Sequence, residues 1–193
     1  MSKPNYFILP GGLPYHIKIM PVQQFSYFTD GLLPGQRQFT DYTVDTNLDD
    51  ERLWVPFGPG VAFQPCQFNL SNGGFIVILR AEPGAQMPPH FHSTSVIGYT
   101  LRGNWRYLEH DWAAKPGTFL YEPAGEAHTL IVDAAEPEPA MILFVVTGGF
   151  IYIDKITNGN MLAYDDGFTI LDIARQHYQS VGLNPALLNA MIR

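Results

Sequence analysis

The stretch MPPHFHSTSVIGYTLRG, from Met87 to Gly103, places His90 and His92 one residue apart, behind two prolines and ahead of a β-rich run. On a strand, positions i and i+2 point to the same face. Both imidazoles therefore enter one space and Phe91 turns the other way. Two imidazoles so placed are close enough to share a metal ion, although a His-x-His pair alone is equally compatible with two surface histidines.

A second stretch sharpens the reading. GTFLYEPAGEAH, from Gly117 to His128, runs glycine, five residues, proline, one residue, glycine, two residues, histidine. A Pro-x-Gly turn re-aims the chain abruptly, so His128 can reach the same cavity from another strand. Three imidazoles from two segments form a facial set that leaves positions on a metal open for substrate and dioxygen.

The surrounding chain supports a β fold. FNLSNGGFIVILRAEPG looks like two strands around an Asn-Gly-Gly turn, and SVIGYTLRG, NWRYLE, GTFLYEP, HTLIV and AMILFVVTGGFIYI follow at roughly ten-residue spacing, as in a sandwich or barrel. Residues 1–60, rich in Pro, Gly and aromatics, read as an irregular N-terminal arm of short strands and turns. Residues 61–155 form the β domain. Residues 156–193 form an extension of two short helices packed on it. The first has Asp166 as N-cap, Phe168, Leu171, Ala174 and Tyr178 on one face, and Gly182 as its stop. The second has Asn184 as cap and Pro185 in the first position.

Bulk properties bound the function. The 193 residues suit one well-cored domain. The net charge of −7 argues against nucleic acid and anionic membrane surfaces as partners. Cys66 is the single cysteine, so no internal disulfide forms, and it reads as a small buried hydrophobe. The N-terminus lacks the apolar core of a secretory signal, and no apolar run is long enough for a membrane helix. A cytoplasmic location is expected.

Together the two histidine stretches resemble the two motifs of the cupin superfamily, G-x5-H-x-H-x3-E-x6-G and G-x5-P-x-G-x2-H-x3-N. Gly84, His90, His92 and Gly103 match the first; Gly117, Pro123, Gly125 and His128 match the second. The resemblance implies an all-β fold, a single small jelly-roll barrel, with His90, His92 and His128 as metal ligands. Val96 stands in place of the first motif's glutamate, and Val132 in place of the second motif's asparagine. A site of three histidines without a carboxylate suits Fe(II), Zn(II), Ni(II) or Cu(II) better than Mn(II) or Mg(II).

WVPFGPGVAFQP, GYTLRGNWRYLEHDW, GTFLYEPAGEAHTL and YDDGFTILDIARQHY are similar to the 2,4'-dihydroxyacetophenone dioxygenase family. That family is related to the acetylacetone-cleaving dioxygenases and to the cupin part of ChrR-type regulators. It implies mononuclear non-haem iron and dioxygen-dependent cleavage of a carbon–carbon bond beside a carbonyl, in a 1,3-diketone or hydroxyacetophenone. Alternatives are a non-catalytic zinc-binding sensor like ChrR, or a small-molecule-binding cupin.

Two carboxylates are catalytic candidates. Glu122, six residues before His128, matches a glutamate that in the acetylacetone-cleaving relatives supports the metal histidines; it would hydrogen-bond a ligand imidazole or take a substrate proton. Glu109, at the end of WRYLE, would serve as a further ligand or base. Glu126 is expected to face outward. Val96, Gly98 and Thr100 are expected to shape the pocket floor, Gly98 leaving room for a ligand, with Tyr99, Trp105, Tyr107 and Trp112 as aromatic wall. Arg80 and Arg102 are read as rim or salt-bridge residues. His110 sits in a turn beside Asp111, His16 in the arm, and His177 on the helix surface. A homodimer or homotetramer is expected, small cupins often pairing through sheet edges.

Overall fold

The computed structural model describes residues 42–193; most of the expected arm, with His16, lies outside the described residues. A six-stranded antiparallel sheet has the order β1 (Val55–Gly58), β2 (Val61–Asn69), β3 (Gly74–Ala81), β10 (Ala140–Val146), β5 (Val96–Arg102), β7 (Phe119–Glu122). A four-stranded sheet has the order β12 (Met161–Asp165), β11 (Phe150–Ile153), β4 (His90–His92), β8 (Ala127–His128). A small pair, β6 (Arg106–Tyr107) and β9 (Leu130–Ile131), completes the jelly-roll. The sheets are open at their edges, so the expected barrel is built from separate sheets and is not continuously hydrogen-bonded.

Alternation places the main core, while Ile78 and Met141 are buried in a smaller cluster with Trp54. On β3 the buried Phe75, Val77 and Leu79 sit on one face, and on β10 Ile142, Phe144 and Val146 do the same. In β2 both Phe63 and Phe68 are buried although five positions apart, an odd spacing that should oppose them. The register shifts between Pro65 and Gln67, and the extra residue of this bulge returns Phe68 to the inner face. Burying each such phenylalanine stabilises the fold by roughly 2–3 kcal/mol.

α1 (Gly167–Ser180) starts at Asp166, whose side chain accepts from the N–H of Phe168 and Thr169, while the Thr169 hydroxyl accepts from the Asp166 N–H. Its buried face is Ile170, Leu171, Ala174 and Tyr178. Phe168, expected on that face, is half exposed, because the capping turn aims it away from the core. Gly182 ends the helix at φ +76°. The second expected helix is a 3-10 segment, Pro185–Met191, capped by Asn184 and anchored by the fully buried Leu188; seven residues are too few to sustain an α-helical nucleus. Among the described residues no helix is long and apolar enough to cross a membrane.

Two motif glycines separate backbone from contact effects. Gly103 has φ +67°, and a Cβ there would stand 2.5 Å from the Pro139 carbonyl oxygen and 2.8 Å from Ala140 Cα. Gly125 has φ +80° with nothing within 4 Å of that position. Urea unfolding should therefore show Gly125→Ala costing about 1–2 kcal/mol and Gly103→Ala clearly more, with about 1–3 kcal/mol of overpacking added. Equal losses would contradict this packing of β5 against the Pro139 segment.

Candidate metal centre

β4 lies between β11 and β8 in the four-stranded sheet. Its register with β8 sets His90 directly opposite His128, and its register with β11 sets His92 opposite Phe150. The Pro123–Gly125 turn makes the first pairing possible: it reverses the chain after β7, and the Gly125 N–H donates to the His92 carbonyl at 2.9 Å. His90 and His92 share one face of β4, with Phe91 partly exposed on the other.

The result is a convergence. His90, His92 and His128 are each buried to 3% exposure or less, and each offers one ligand nitrogen, all within 4.8 Å of one another. The His90 Nδ1–H faces the Pro88 carbonyl at 2.8 Å; this contact fixes the tautomer and leaves Nε2 free for an ion. Phe150 packs against His92 and His90, with centroids 4.5 and 5.1 Å away. Tyr107 stacks on His128 at 4.0 Å and 12°. Both rings restrict how far the imidazoles can turn.

Glu122 is the fourth polar group in this space, 2% exposed. Its Oε1 accepts from the Tyr107 hydroxyl. Its Oε2 stands 3.3 Å from His92 Nε2 and 3.5 Å from His128 Nε2 without a hydrogen bond to either. His92 Nδ1 and His128 Nε2 are likewise buried without partners. Unpaired buried polar atoms cost about 1–3 kcal/mol each, and the unpaired Glu122 Oε2 and His128 Nε2, 3.5 Å apart beside the three converging imidazoles, fit a cation site. The donor chemistry agrees, since three neutral imidazoles suit late first-row divalent ions.

Burial dominates the electrostatics. It depresses His90 to about 4, against an upward pull from the Pro88 carbonyl. It depresses His92 to about 3 and His128 to about 2, with the neighbouring imidazoles adding to the effect. The ligand set is thus neutral and ready for metal at physiological pH. Burial lifts the Glu122 carboxyl to about 7, against the Tyr107 hydrogen bond that lowers it.

The cavity at the centre has a volume of about 30 Å³, its walls mainly apolar, with Phe57, Phe63, Phe144 and Met87 among them and His90, His92, Tyr107 and Glu122 as the polar groups. A second hollow of about 340 Å³ shares Phe57 and Met87 with it, so these two side chains partition the inner cavity from the outer one.

Of the expected pocket residues, Val96 and Tyr107 line the cavity. The others face elsewhere. Tyr99 is 44% exposed on the outer face of β5 between Ile97 and Leu101, as alternation requires. Gly98 makes room for the Phe144 ring, which would stand 3.0 Å from a Cβ there, and not for a ligand. Thr100 and Trp105 are buried but spend their polar groups on each other, the indole N–H donating to the Thr100 hydroxyl at 2.9 Å. Trp112 stacks on His110 at the edge. Glu109 is exposed, and its carboxylate accepts the Thr129 N–H at 2.8 Å; it steadies the strand leading from His128 and does not line the cavity.

Glu126 is exposed, 3.3 Å from His110. Arg80 pairs with Glu51 and Glu82 and covers the Trp54 ring, and Arg102 pairs with Glu138. His177, expected on the surface, is half-buried on α1, its Nε2 3.0 Å from the Arg52 carbonyl. Cys66 is only partly buried, against the Trp54, Ile78 and Met141 cluster. Phe57, Phe63, Phe75, Phe150 and Met87 enter the wall without having been anticipated; their alternation was visible, but their facing partners depend on pairings between distant strands.

The family model of the ChrR cupin-like domain matches residues 42–151. The chain belongs to that family of cupins. An RmlC-like cupin from Ralstonia eutropha JMP134 is 33% identical, covering 68% of this chain and 85% of that one, with a TM-score of 0.63. A cupin-like protein of unknown function from the same organism is 24% identical, covering 76% and 90%, with a TM-score of 0.68. An acetylacetone dioxygenase from Acinetobacter johnsonii is 14% identical, covering 74% and 96%, with a TM-score of 0.63, a likeness of fold alone. No curated protein matches the chain.

The depressed imidazoles give a pH signature in metal-free protein. Their folded values lie below the ordinary 6.5, so below that pH the unfolded chain takes up protons that the folded chain refuses, and stability is lost on acidification. The raised Glu122 acts oppositely, lowering stability as pH rises from 4.5 to about 7, but it is one group against three. In chelator-treated protein the urea midpoint should fall between pH 6.5 and 4.5, and His128→Gln should flatten the fall. A midpoint unchanged over that window in the parent protein would contradict the burial of the three rings.

Proposed function

We propose that the protein is a mononuclear non-haem iron dioxygenase that cleaves a carbon–carbon bond beside a carbonyl, in a 1,3-diketone or hydroxyacetophenone-type substrate. The observation that carries the reading is the buried convergence of His90, His92 and His128, two of which line a mainly apolar cavity together with Glu122. The fold shared with an acetylacetone dioxygenase supports it.

When bound, iron(II) supplies Lewis acidity toward the substrate's oxygens and the redox capacity the oxygen step requires. His90, His92 and His128 would hold it, and the Pro88 carbonyl fixes the His90 ring through Nδ1. The apolar wall excludes water, which strengthens polar interactions within and protects reactive intermediates. Glu122 is the carboxylate that lines this cavity, so it receives the proton a diketone releases on becoming an enolate. Tyr107 fixes the carboxylate's orientation through its hydroxyl. One dioxygen is consumed per substrate, and both its atoms end in the two carbonyl or carboxylic fragments. Phe57 and Met87, between the inner and outer hollows, must move aside for a substrate of this size, because about 30 Å³ holds only a few waters.

Membership of the ChrR cupin-like family favours a second reading, a zinc-holding sensor without catalysis. Metal analysis with oxygen-electrode measurements separates the two. The enzyme reading expects about one iron per chain, uptake of one dioxygen per 1,3-diketone or hydroxyacetophenone consumed, no uptake with zinc, and at least a hundredfold loss in His92→Ala. Tightly held zinc, with no uptake by iron-loaded protein on either substrate class, would establish the sensor instead.

A further inference from the structure

Val96 leaves the first motif without its carboxylate, yet a carboxylate reaches the same place by another route. In the antiparallel ladder of β5 and β7, Val96 lies directly opposite Glu122. Opposed residues on neighbouring strands project to the same face, and both are buried in the cavity wall. Glu122 therefore enters beside the point from which the missing glutamate would have entered.

The geometry around its carboxylate decides between two roles. A carboxylate that merely steadies a ligand imidazole accepts a hydrogen bond from it. Oε2 of Glu122 accepts none, although it is fully buried. It stands 3.3 Å from His92 Nε2 and 3.5 Å from His128 Nε2. Atoms bound about 2.1 Å from a common ion stand about 3.0 Å apart at right angles and about 3.4 Å apart at the tetrahedral angle. The two spacings fit edges of a coordination polyhedron better than they fit hydrogen bonds. Tyr107 engages the other oxygen, which leaves one oxygen, and only one, directed at the two nitrogens.

We propose that Glu122 is a direct ligand of the metal through Oε2, a fourth protein ligand supplied from β7 in place of the glutamate missing at Val96, with Tyr107 as its positioning residue. The inference rests on the three-histidine metal site, not on the dioxygenase reading. It changes the site from three neutral donors to three neutral donors and one anion, which extends the metals it accepts toward harder ions such as Mn(II). Coordination does not remove Glu122 from proton transfer. Glu122 would hold the ion through Oε2 and, as the carboxylate lining the cavity, would also be placed to take a proton from a diketone.

The test uses Co(II) alone with the full chain, reading its visible d–d spectrum and its affinity by chelator competition. Glu122→Gln keeps the size of the side chain and a partner for Tyr107, so it preserves the packing. Its Co(II) affinity should fall at least a hundredfold and its spectrum should change. Tyr107→Phe should lose about tenfold or less. Adding Val96→Glu to Glu122→Gln returns a carboxylate to the neighbouring strand and should restore affinity to within tenfold. An unchanged spectrum in Glu122→Gln overturns the proposal whatever the affinity, and so does a changed spectrum that Val96→Glu fails to bring back. Binding lost in His92→Ala but unaltered in Glu122→Gln removes this inference alone; binding unaltered in both removes the metal site itself.

Discussion

The pairing of β4 with β8 is the constraint from which the rest of the site follows. Two short strands carry His90 and His128 to opposite positions of one ladder, and the i, i+2 rule brings His92 to the same face. Neither strand is long enough to be stable alone. They are held because β11 pairs along the other side of β4, and because the larger sheet lays Phe63, Phe75 and Phe144 beneath the imidazoles. The core that folds the chain is thus also the wall that keeps the ligands neutral.

This arrangement trades stability for function. His128 Nε2 and Glu122 Oε2 sit in the interior 3.5 Å apart without hydrogen-bond partners, which costs free energy in the metal-free chain and is offset when a cation arrives. The positions that would most relieve that cost are those that hold the ion. The contacts that limit movement are simple: a carbonyl on His90, a ring stacked on His128, a ring against His92, and a phenol on Glu122.

The three histidines were legible because their motif is local: a His-x-His on a strand and a Pro-x-Gly turn six residues or fewer from the third ligand. The cap at Asp166 and the stop at Gly182 were legible for the same reason, being set by one or two neighbouring residues. What was not legible depends on register between distant strands. Tyr99 and Thr100 are adjacent in sequence, and only the sheet's orientation says which faces the core. Gly98 looked like space for a ligand until its partner across the ladder proved to be Phe144. Glu109 looked like a ligand until its strand ended two residues early and left it on the Thr129 N–H. The opposition of Val96 and Glu122 likewise belongs to the pairing of β5 with β7, which no spacing in the chain announces.

The central claim is that three imidazoles meet at one ion. X-ray absorption at the metal edge of the loaded protein reads this directly. The account predicts a single ion per chain whose scattering requires three imidazole rings bound through nitrogen at about 2.1 Å; a spectrum fitted by one ring or none, or by ions spread over several oxygen-rich surface sites, would contradict it.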